Sequence, residues 1–219
     1  MPHREKRLRP AYTLGEEIVN SVSHGLGAAL AAAGTAILIV YAAWHHNVWA
    51  IDSCAIYGAS LFLLYMSSTL YHSFQQPRVK ALFRIFDHCT IFLLIAGTYT
   101  PITLVTLRGS NPALGWTLFG VVWAAAVVGI VLTAIDLERF KLFSMICYVA
   151  MGWVIVVAIR PLMAALPVGG LWLLVSGGLA YTVGITFFVI HVRYMHSIWH
   201  FFVLAGSVLH FLAILLYVI

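Results

Sequence analysis

Charged residues are scarce in this chain. Asp, Glu, Lys and Arg together make up only 9% of its 219 residues, whereas 63% are hydrophobic. Soluble domains contain about 25% charged and about 45–50% apolar residues. A soluble fold of this length would need a polar surface that this sequence cannot supply. The composition therefore excludes an ordinary soluble protein and predicts a polytopic membrane protein with a single membrane domain.

Cysteine is also rare, and the common catalytic and nucleotide-binding motifs are missing. The three cysteines, Cys54, Cys89 and Cys147, are scattered singly through or beside apolar runs and form no CxxC pair. This pattern argues against a disulfide framework, and we interpret them as small buried hydrophobic residues. The chain contains no glycine-rich phosphate loop, no GxSxG and no HExxH.

The net charge is +5, and the basic residues that produce it lie in short segments between apolar runs. In a membrane protein, such segments set the topology and contact anionic lipid headgroups. No basic patch is interleaved with aromatic residues, as a nucleic-acid-binding surface would require. We therefore expect membrane lipids of the inner leaflet as partners and no nucleic acid, while nothing in the sequence indicates an oligomeric state.

Seven long apolar runs predict seven transmembrane helices. A helix needs about 20 residues to cross the hydrocarbon layer, and the runs lack the period-2 alternation of barrel strands. The predicted helices cover residues 20–43, 51–74, 86–107, 113–134, 142–160, 168–190 and 197–218. The predicted fold class is thus an all-α membrane protein, a seven-helix bundle, with a basic tail at residues 1–15 and a transmembrane domain at residues 16–219.

Lys and Arg are distributed unevenly around these helices. Ten of the twelve lie on the side that holds the N-terminus, and only Arg108 and Arg160 lie on the other side. The positive-inside rule then places the N-terminus in the cytoplasm and the C-terminus outside. The segment AALAAAGTA in the first run could be a signal-peptide cleavage region, but the run continues to Tyr41, beyond the usual length of such a signal. We therefore favour a first transmembrane helix.

Polar residues within the predicted helices collect at the cytoplasmic end. Residues spaced by four lie on the same side of a helix, and the alternating helix directions bring the ends of helices 1, 2, 3 and 7 to one depth. Ionisable residues inside a membrane normally face the bundle interior and mark a functional site. The set consists of Glu16, Asn20, His24, Ser68, His72, Asp87, His88, His196 and His200.

The histidines of this set suit a metal site. His196 and His200 are four apart and project from one face of helix 7, and His72 lies at a matching depth on helix 2. Neutral imidazole is a good ligand for Zn²⁺, and three protein ligands plus water is the usual catalytic arrangement. Spacing and topology alone also allow a proton relay without metal, or interfacial histidines that only form hydrogen bonds.

Four segments together resemble the bacterial hemolysin III family, within the progestin and adiponectin receptor (PAQR) superfamily. They are ExxNxxxH in helix 1, SSTLYHSF at the end of helix 2, DHCTIFLLIAGTYTP in helix 3 and HSIWHFFVLAGS in helix 7. The resemblance covers the chain after its basic tail and implies seven helices with the N-terminus inside. It also implies a zinc ion held by His72, His196 and His200, an aspartate near the metal at Asp87, and a serine one turn before the ligand of helix 2 at Ser68.

This resemblance leads us to expect a multi-pass protein of a bacterial cytoplasmic (inner) membrane. The expected function is a zinc-dependent hydrolase for an amide bond of a lipid, similar to a ceramidase, or a protein of membrane-lipid homeostasis. In the hydrolase, Asp87 and Ser68 would be the catalytic residues, and Glu16, Asn20, His24 and His88 would support the ligands, since ligating histidines usually need a partner on their second nitrogen. Two alternatives stay open: a non-enzymatic sensor or receptor of membrane state with a structural zinc, and a pore-forming cytolysin.

Overall fold

A computed structural model describes residues 12–219, and most of the expected basic tail lies outside these described residues. Residues 12–219 contain seven helices that are long and apolar enough to cross a membrane, and they contain no strand. The prediction of an all-α seven-helix membrane protein is therefore confirmed. The helices are α1 (Leu14–Trp44), α2 (Val48–Ser73), α3 (Pro77–Ser110), α4 (Pro112–Ile135), α5 (Leu137–Ala165), α6 (Val168–Val189) and α7 (Met195–Tyr217).

Several helices extend beyond the apolar runs because capping residues set where they begin. Thr13 forms a capping box: its side chain accepts from the Glu16 amide at 3.3 Å, and the Glu16 carboxylate accepts from the Thr13 amide at 2.8 Å. Asn47, Asn111 and Asp136 cap α2, α4 and α5 with side-chain oxygens. Such side chains satisfy amide groups that the first helical turn leaves unpaired. As a result, α1 begins six residues before the expected position 20 and carries its acidic residues on the helix.

Two helices are irregular away from their starts. In α3, Pro101 is followed directly by a π-helical segment at Ile102–Leu107, and in α5 a 3₁₀ segment covers Val154–Ala158. Proline has no amide hydrogen to donate to the preceding turn, so a local change of helical pitch beside it is expected. The end of α3 that bears Asp87 and His88 remains α-helical.

Helix α1 packs against both α2 and α7, α2 packs against α3, and α6 packs against α7. Small residues at these interfaces allow neighbouring helices to approach each other closely. A methyl group built on Gly27 would lie 2.7 Å from the Tyr65 ring and 2.9 Å from Leu204, so α1, α2 and α7 touch there only because this position has no side chain. Glycine at helix interfaces commonly permits such close approach in membranes. The shared interface of α1, α2 and α7 is what brings their polar residues together.

A hydroxyl cluster joins α2, α6 and α7 further along the bundle. Tyr65 donates to Ser207 Oγ at 2.6 Å, and the hydroxyl of Tyr181 lies 2.7 Å from the same atom. The three hydroxyls thus pair with one another across the three helices. Polar residues in the bundle interior are therefore not confined to one end, whereas His72, His196 and His200 lie together at one end.

Candidate metal centre

Three histidines converge at the end of the bundle where α2 ends and α7 begins. Each of His72, His196 and His200 offers one ring nitrogen, and these three atoms all lie within 4.8 Å of one another. The Nε2 atoms of His196 and His200 are 3.2 Å apart. Tetrahedral zinc with bonds of about 2.0–2.1 Å would separate its ligand atoms by roughly 3.3–3.4 Å. The three imidazoles are thus grouped closely enough that they could hold a metal ion, and the His196–His200 separation is near the value for two ligands of one zinc ion.

The second nitrogen of His72 is held by a carboxylate. Glu17 Oε2 lies 2.6 Å from His72 Nδ1, and both side chains are buried. The ring donates from Nδ1, so in the neutral imidazole the lone pair is on Nε2, and within residues 12–219 this buried Nε2 has no hydrogen-bond partner. Histidines that ligate metal commonly donate their other N–H to a carboxylate in this way, which fixes the tautomer and orients the ring. His72 therefore has the form of a prepared metal ligand.

A hydroxyl performs the same role for His200, which is only 1% exposed. Ser23 Oγ lies 3.2 Å from His200 Nδ1 and 3.0 Å from the backbone oxygen of Asn20, to which it donates. Because the hydroxyl hydrogen is used on Asn20, the remaining contact requires His200 Nδ1 to be the donor. Nε2 of His200 then also carries a lone pair, and it faces His196.

Two of the supporting residues expected from the sequence lie directly against the histidines. Asn20 is fully buried; its Nδ2 atom lies 3.5 Å from His72 Nδ1, and its Oδ1 accepts from Ser197 Oγ at 2.6 Å. The ring of His24 stacks on His200 with centroids 3.5 Å apart and planes 11° apart. Asn20 thus packs against His72 of α2 and bonds to Ser197 of α7, and the His24 ring covers one face of the His200 ring.

The other two expected supporting residues, Glu16 and His88, form hydrogen bonds with backbone groups of Tyr194 and Arg84. Glu16 Oε1 accepts from the Tyr194 amide at 2.9 Å, and its other oxygen takes part in the capping box of α1. Tyr194 has φ +62°, an uncommon left-handed conformation for a bulky residue, directly before the helix that carries two of the histidines. His88 Nδ1 donates to the backbone oxygen of Arg84 at 2.9 Å. Glu16 therefore contacts the start of α7 rather than a ligand ring.

The two residues expected to be catalytic are not among the converging nitrogens. The Asp87 side chain is 14% exposed, and its carboxylate lies 3.9 Å from His88 Nδ1. Ser67 Oγ lies 2.9 Å from Thr90 Oγ1, which aligns α2 and α3 so that Asp87 lies near the level of the end of α2. Ser68 Oγ is buried and has no hydrogen-bond partner in the part of the chain that the structure describes.

Sequence reasoning missed Glu17, Ser23 and two further residues at this site. The Tyr12 ring lies 5.4 Å from that of His72 and 5.1 Å from that of His196, between the start of α1 and the ligands. Lys80 on α3 donates to Glu17 Oε1 at 2.6 Å. The ExxN spacing was a signal for Glu17, because a residue three positions before Asn20 lies on a similar side of the helix. No comparable signal pointed to Tyr12 or Lys80.

An apolar cavity lies within the bundle, and its wall residue Phe188 separates it from His196; none of His72, His196 and His200 is among its lining residues. Its walls come mainly from α3, α5, α6 and α7, and its volume is about 130 Å³. Phe188 and Trp199 line it, and the Phe188 ring lies 5.8 Å from that of His196. His88 and Lys141 are polar members of a lining that is otherwise largely apolar. Such an apolar space can accept part of a hydrocarbon chain.

Known proteins resemble this chain over nearly its full length. A family model described as Haemolysin-III related matches residues 12–211. The chain is 46% identical to Hemolysin-3 of Bacillus cereus, over 98% of this chain and 97% of that protein. It is 42% identical to the Hemolysin-3 homolog of Bacillus subtilis (strain 168), over 94% and 96% of the two chains.

A human protein is more distantly similar. The Monocyte to macrophage differentiation factor of Homo sapiens is 27% identical over 92% of this chain and 84% of that protein, which supports the progestin and adiponectin receptor superfamily. No solved structure matches the chain. The family expected from the four segments is confirmed: this chain is a multi-pass membrane protein that belongs to the Haemolysin-III related family.

Proposed function

We propose that this protein is a zinc-dependent hydrolase that cleaves an amide bond of a membrane lipid at the cytoplasmic face of a bacterial inner membrane. The observation that carries the proposal is the convergence of three buried or half-buried imidazoles, whose ring nitrogens lie within 4.8 Å of one another. Structural zinc sites usually have four protein ligands, whereas catalytic sites have three and leave one position open.

The residues around the three histidines support this role. When bound, zinc would supply Lewis-acid chemistry that polarises a carbonyl group and acidifies water. Glu17 and Ser23 keep His72 and His200 in the tautomer that leaves Nε2 available. In our proposal, the Asp87 carboxylate, which lies 3.9 Å from His88 Nδ1, orients the attacking water and takes its proton.

Ser68 and the cavity define how a lipid would bind. The unpartnered, buried Ser68 hydroxyl is a donor that can bond the carbonyl oxygen of the substrate. The apolar cavity, which Phe188 separates from His196, would hold part of the acyl chain and exclude water from the reacting bond. A lipid with an amide-linked acyl chain would place its carbonyl near the histidines while the chain extends between α3 and α7.

Purified full-length protein in lipid nanodiscs provides the test, with release of free fatty acid from a labelled ceramide as the signal. We expect His196→Ala and Asp87→Asn each to lower the rate by at least about 100-fold, a typical effect of losing a metal ligand or a general base. His191→Ala is the matched control, because this exposed histidine lies outside the site. Full activity in His196→Ala, or no activity in the unaltered zinc-loaded protein on any acyl-amide lipid, would contradict the proposal.

A second candidate function is a sensor of membrane state in which zinc has only a structural role. It is favoured by the fact that the histidines come from α2 and α7, while their supporting residues Glu17 and Ser23 come from α1, so one ion would tie three helices together. Asp87→Ala separates the two functions. A variant that keeps its metal and the cellular phenotype would favour the sensor, whereas a variant that keeps its metal and loses both activity and phenotype would favour the hydrolase.

The name hemolysin-3 of two relatives raises cytolysis as a third candidate. A pore would need a polar path along the full depth of the bundle, and the cavity here has a mainly apolar lining. Purified protein reconstituted in planar bilayers should therefore give no steady single-channel conductance. A reproducible conductance that is absent from protein-free bilayers would favour the pore instead.

A further inference from the structure

We infer that Lys80 is a positioning residue of the metal centre, although it contacts none of the three histidines. Its ammonium group lies 2.6 Å from Glu17 Oε1, and the other oxygen of the same carboxylate lies 2.6 Å from His72 Nδ1. One carboxylate thus joins the lysine to the ligand ring. This inference rests on the metal centre of the proposed function and not on hydrolysis.

The ammonium group is fixed at the end of α2. Lys80 Nζ donates to the backbone oxygens of Tyr71 at 3.2 Å and Phe74 at 3.3 Å, in addition to Glu17. The last carbonyl groups of a helix lack intrahelical partners, and an ammonium group has three hydrogens to donate. All three are used here, so Lys80 is held in place by the end of α2 that carries His72.

This arrangement determines which way the Glu17 carboxylate faces. The Glu17 side chain is 8% exposed, so water does little to orient it. With Oε1 bound to Lys80, Oε2 is directed at His72, and the imidazole is held in the rotamer that presents Nε2 to the other two histidines. Without Lys80, the carboxylate would lose its charged partner in a low-dielectric environment and could rotate away from the ring. We therefore expect the affinity for metal to depend on Lys80.

A simpler role is that Lys80 only caps α2 and joins it to α1. The two roles predict different measurements. Loss of a cap lowers the unfolding temperature but leaves the geometry around a bound ion unchanged. Loss of ligand positioning lowers the metal affinity of the folded protein and changes the absorption spectrum of Co²⁺ bound in place of Zn²⁺, because that spectrum reports the coordination geometry.

The experiment uses full-length protein in detergent and measures Zn²⁺ affinity by competition with a chelator, together with the Co²⁺ spectrum. We expect Lys80→Met and Lys80→Gln to weaken Zn²⁺ binding by about 10- to 100-fold, the usual effect of removing an outer partner of a ligand. Lys80→Arg should restore most of the affinity and the unaltered spectrum. Arg84→Met is the matched control, because Arg84 is one turn further along α3 and its side chain pairs with Glu138 of α5 at 2.5 Å rather than with Glu17.

Affinity is measured only on the folded, monodisperse fraction, and two uncharged variants are included so that poor folding of one does not remove the test. A double-mutant cycle with Glu17→Gln adds a second criterion. In the Glu17→Gln protein, Lys80→Met should weaken Zn²⁺ binding by less than about a further 3-fold, because the charge that Lys80 contacts is already gone. Unchanged Zn²⁺ affinity and spectrum in Lys80→Met or Lys80→Gln, or an equal loss in Arg84→Met, would overturn the inference. Normal metal binding without any lipid hydrolysis would contradict the proposed function and leave the role of Lys80 intact.

Discussion

Replacing Glu17 should weaken metal binding far more than replacing its neighbour Glu16. Glu17→Gln keeps an oxygen that can accept from His72 Nδ1, but it changes a charge-assisted hydrogen bond into a neutral one. The first kind is worth about 1.5–3 kcal/mol and the second about 0.5–1.5 kcal/mol. The difference of roughly 1–1.5 kcal/mol corresponds to about a 10-fold weaker Zn²⁺ affinity. Glu17→Ala removes the acceptor entirely, and we expect a loss nearer 100-fold, which is about 2.7 kcal/mol.

The assay is a competition between the purified protein and a chromophoric chelator of known Zn²⁺ affinity. Glu16→Gln is the matched control, since this adjacent glutamate contacts the Tyr194 amide and the capping box instead of a ligand ring. It should lower the unfolding temperature while changing the affinity by less than about 3-fold. Equal affinities of Glu17→Ala and the unaltered protein, or a larger loss in Glu16→Gln than in Glu17→Gln, would refute the reasoning.

Three other outcomes follow from the same structure. Gly129→Ala should destabilise the protein by about 1–3 kcal/mol, because the added methyl group would lie 2.2 Å from the buried Phe92 ring, whereas Gly120→Ala on the same helix meets nothing within 4 Å and should be neutral in thermal unfolding. Ser207→Ala should cost about 1–3 kcal/mol in chemical unfolding, since the buried Tyr65 hydroxyl loses its acceptor. Removing metal with a chelator should lower the unfolding temperature, because a ligand present at 100 times its Kd stabilises the folded state by about 2.7 kcal/mol.

The architecture was predictable because long apolar runs carry a strong signal in a membrane protein. A spanning segment must satisfy its own backbone in lipid, so a run of about 20 apolar residues has few alternatives to a helix. The ends of the helices were less predictable. Thr13 and Pro77 start α1 and α3 within polar sequence, well before the apolar runs begin, because capping and the fixed φ of proline favour the first turn regardless of hydropathy.

The three histidines could be grouped from the sequence because two separate signals agreed. Topology gave the depth of each histidine in the bundle, and helical spacing gave the face on which it lies. Alternating helix directions brought the end of α2 and the start of α7 to one depth, and a spacing of four put His196 and His200 on one face. The structure brings these nitrogens together with His72. The direction of the helices across the membrane, read from the distribution of Lys and Arg, stays a prediction.

The choice between two adjacent glutamates shows where spacing arguments lose precision. Each residue of an α-helix turns by about 100°, so two steps of four accumulate an offset of about 80° between Glu16 and His24. Seven residues give only about 20°, which places Glu17 closer to the side that His24 occupies. A contact such as that of Lys80 with Glu17 was not predictable in this way, because it depends on how α3 packs against α1 rather than on periodicity within one helix.

Metal content and coordination of the purified protein test the central claim most directly. X-ray absorption at the zinc edge, with elemental analysis, should show one zinc per chain bound by three imidazole nitrogens at about 2.0–2.1 Å. Each of His72→Ala, His196→Ala and His200→Ala should reduce that stoichiometry to near zero in folded protein. A chain that takes up no zinc when supplied with it, or one that retains a full equivalent after all three histidines are replaced, would contradict the account.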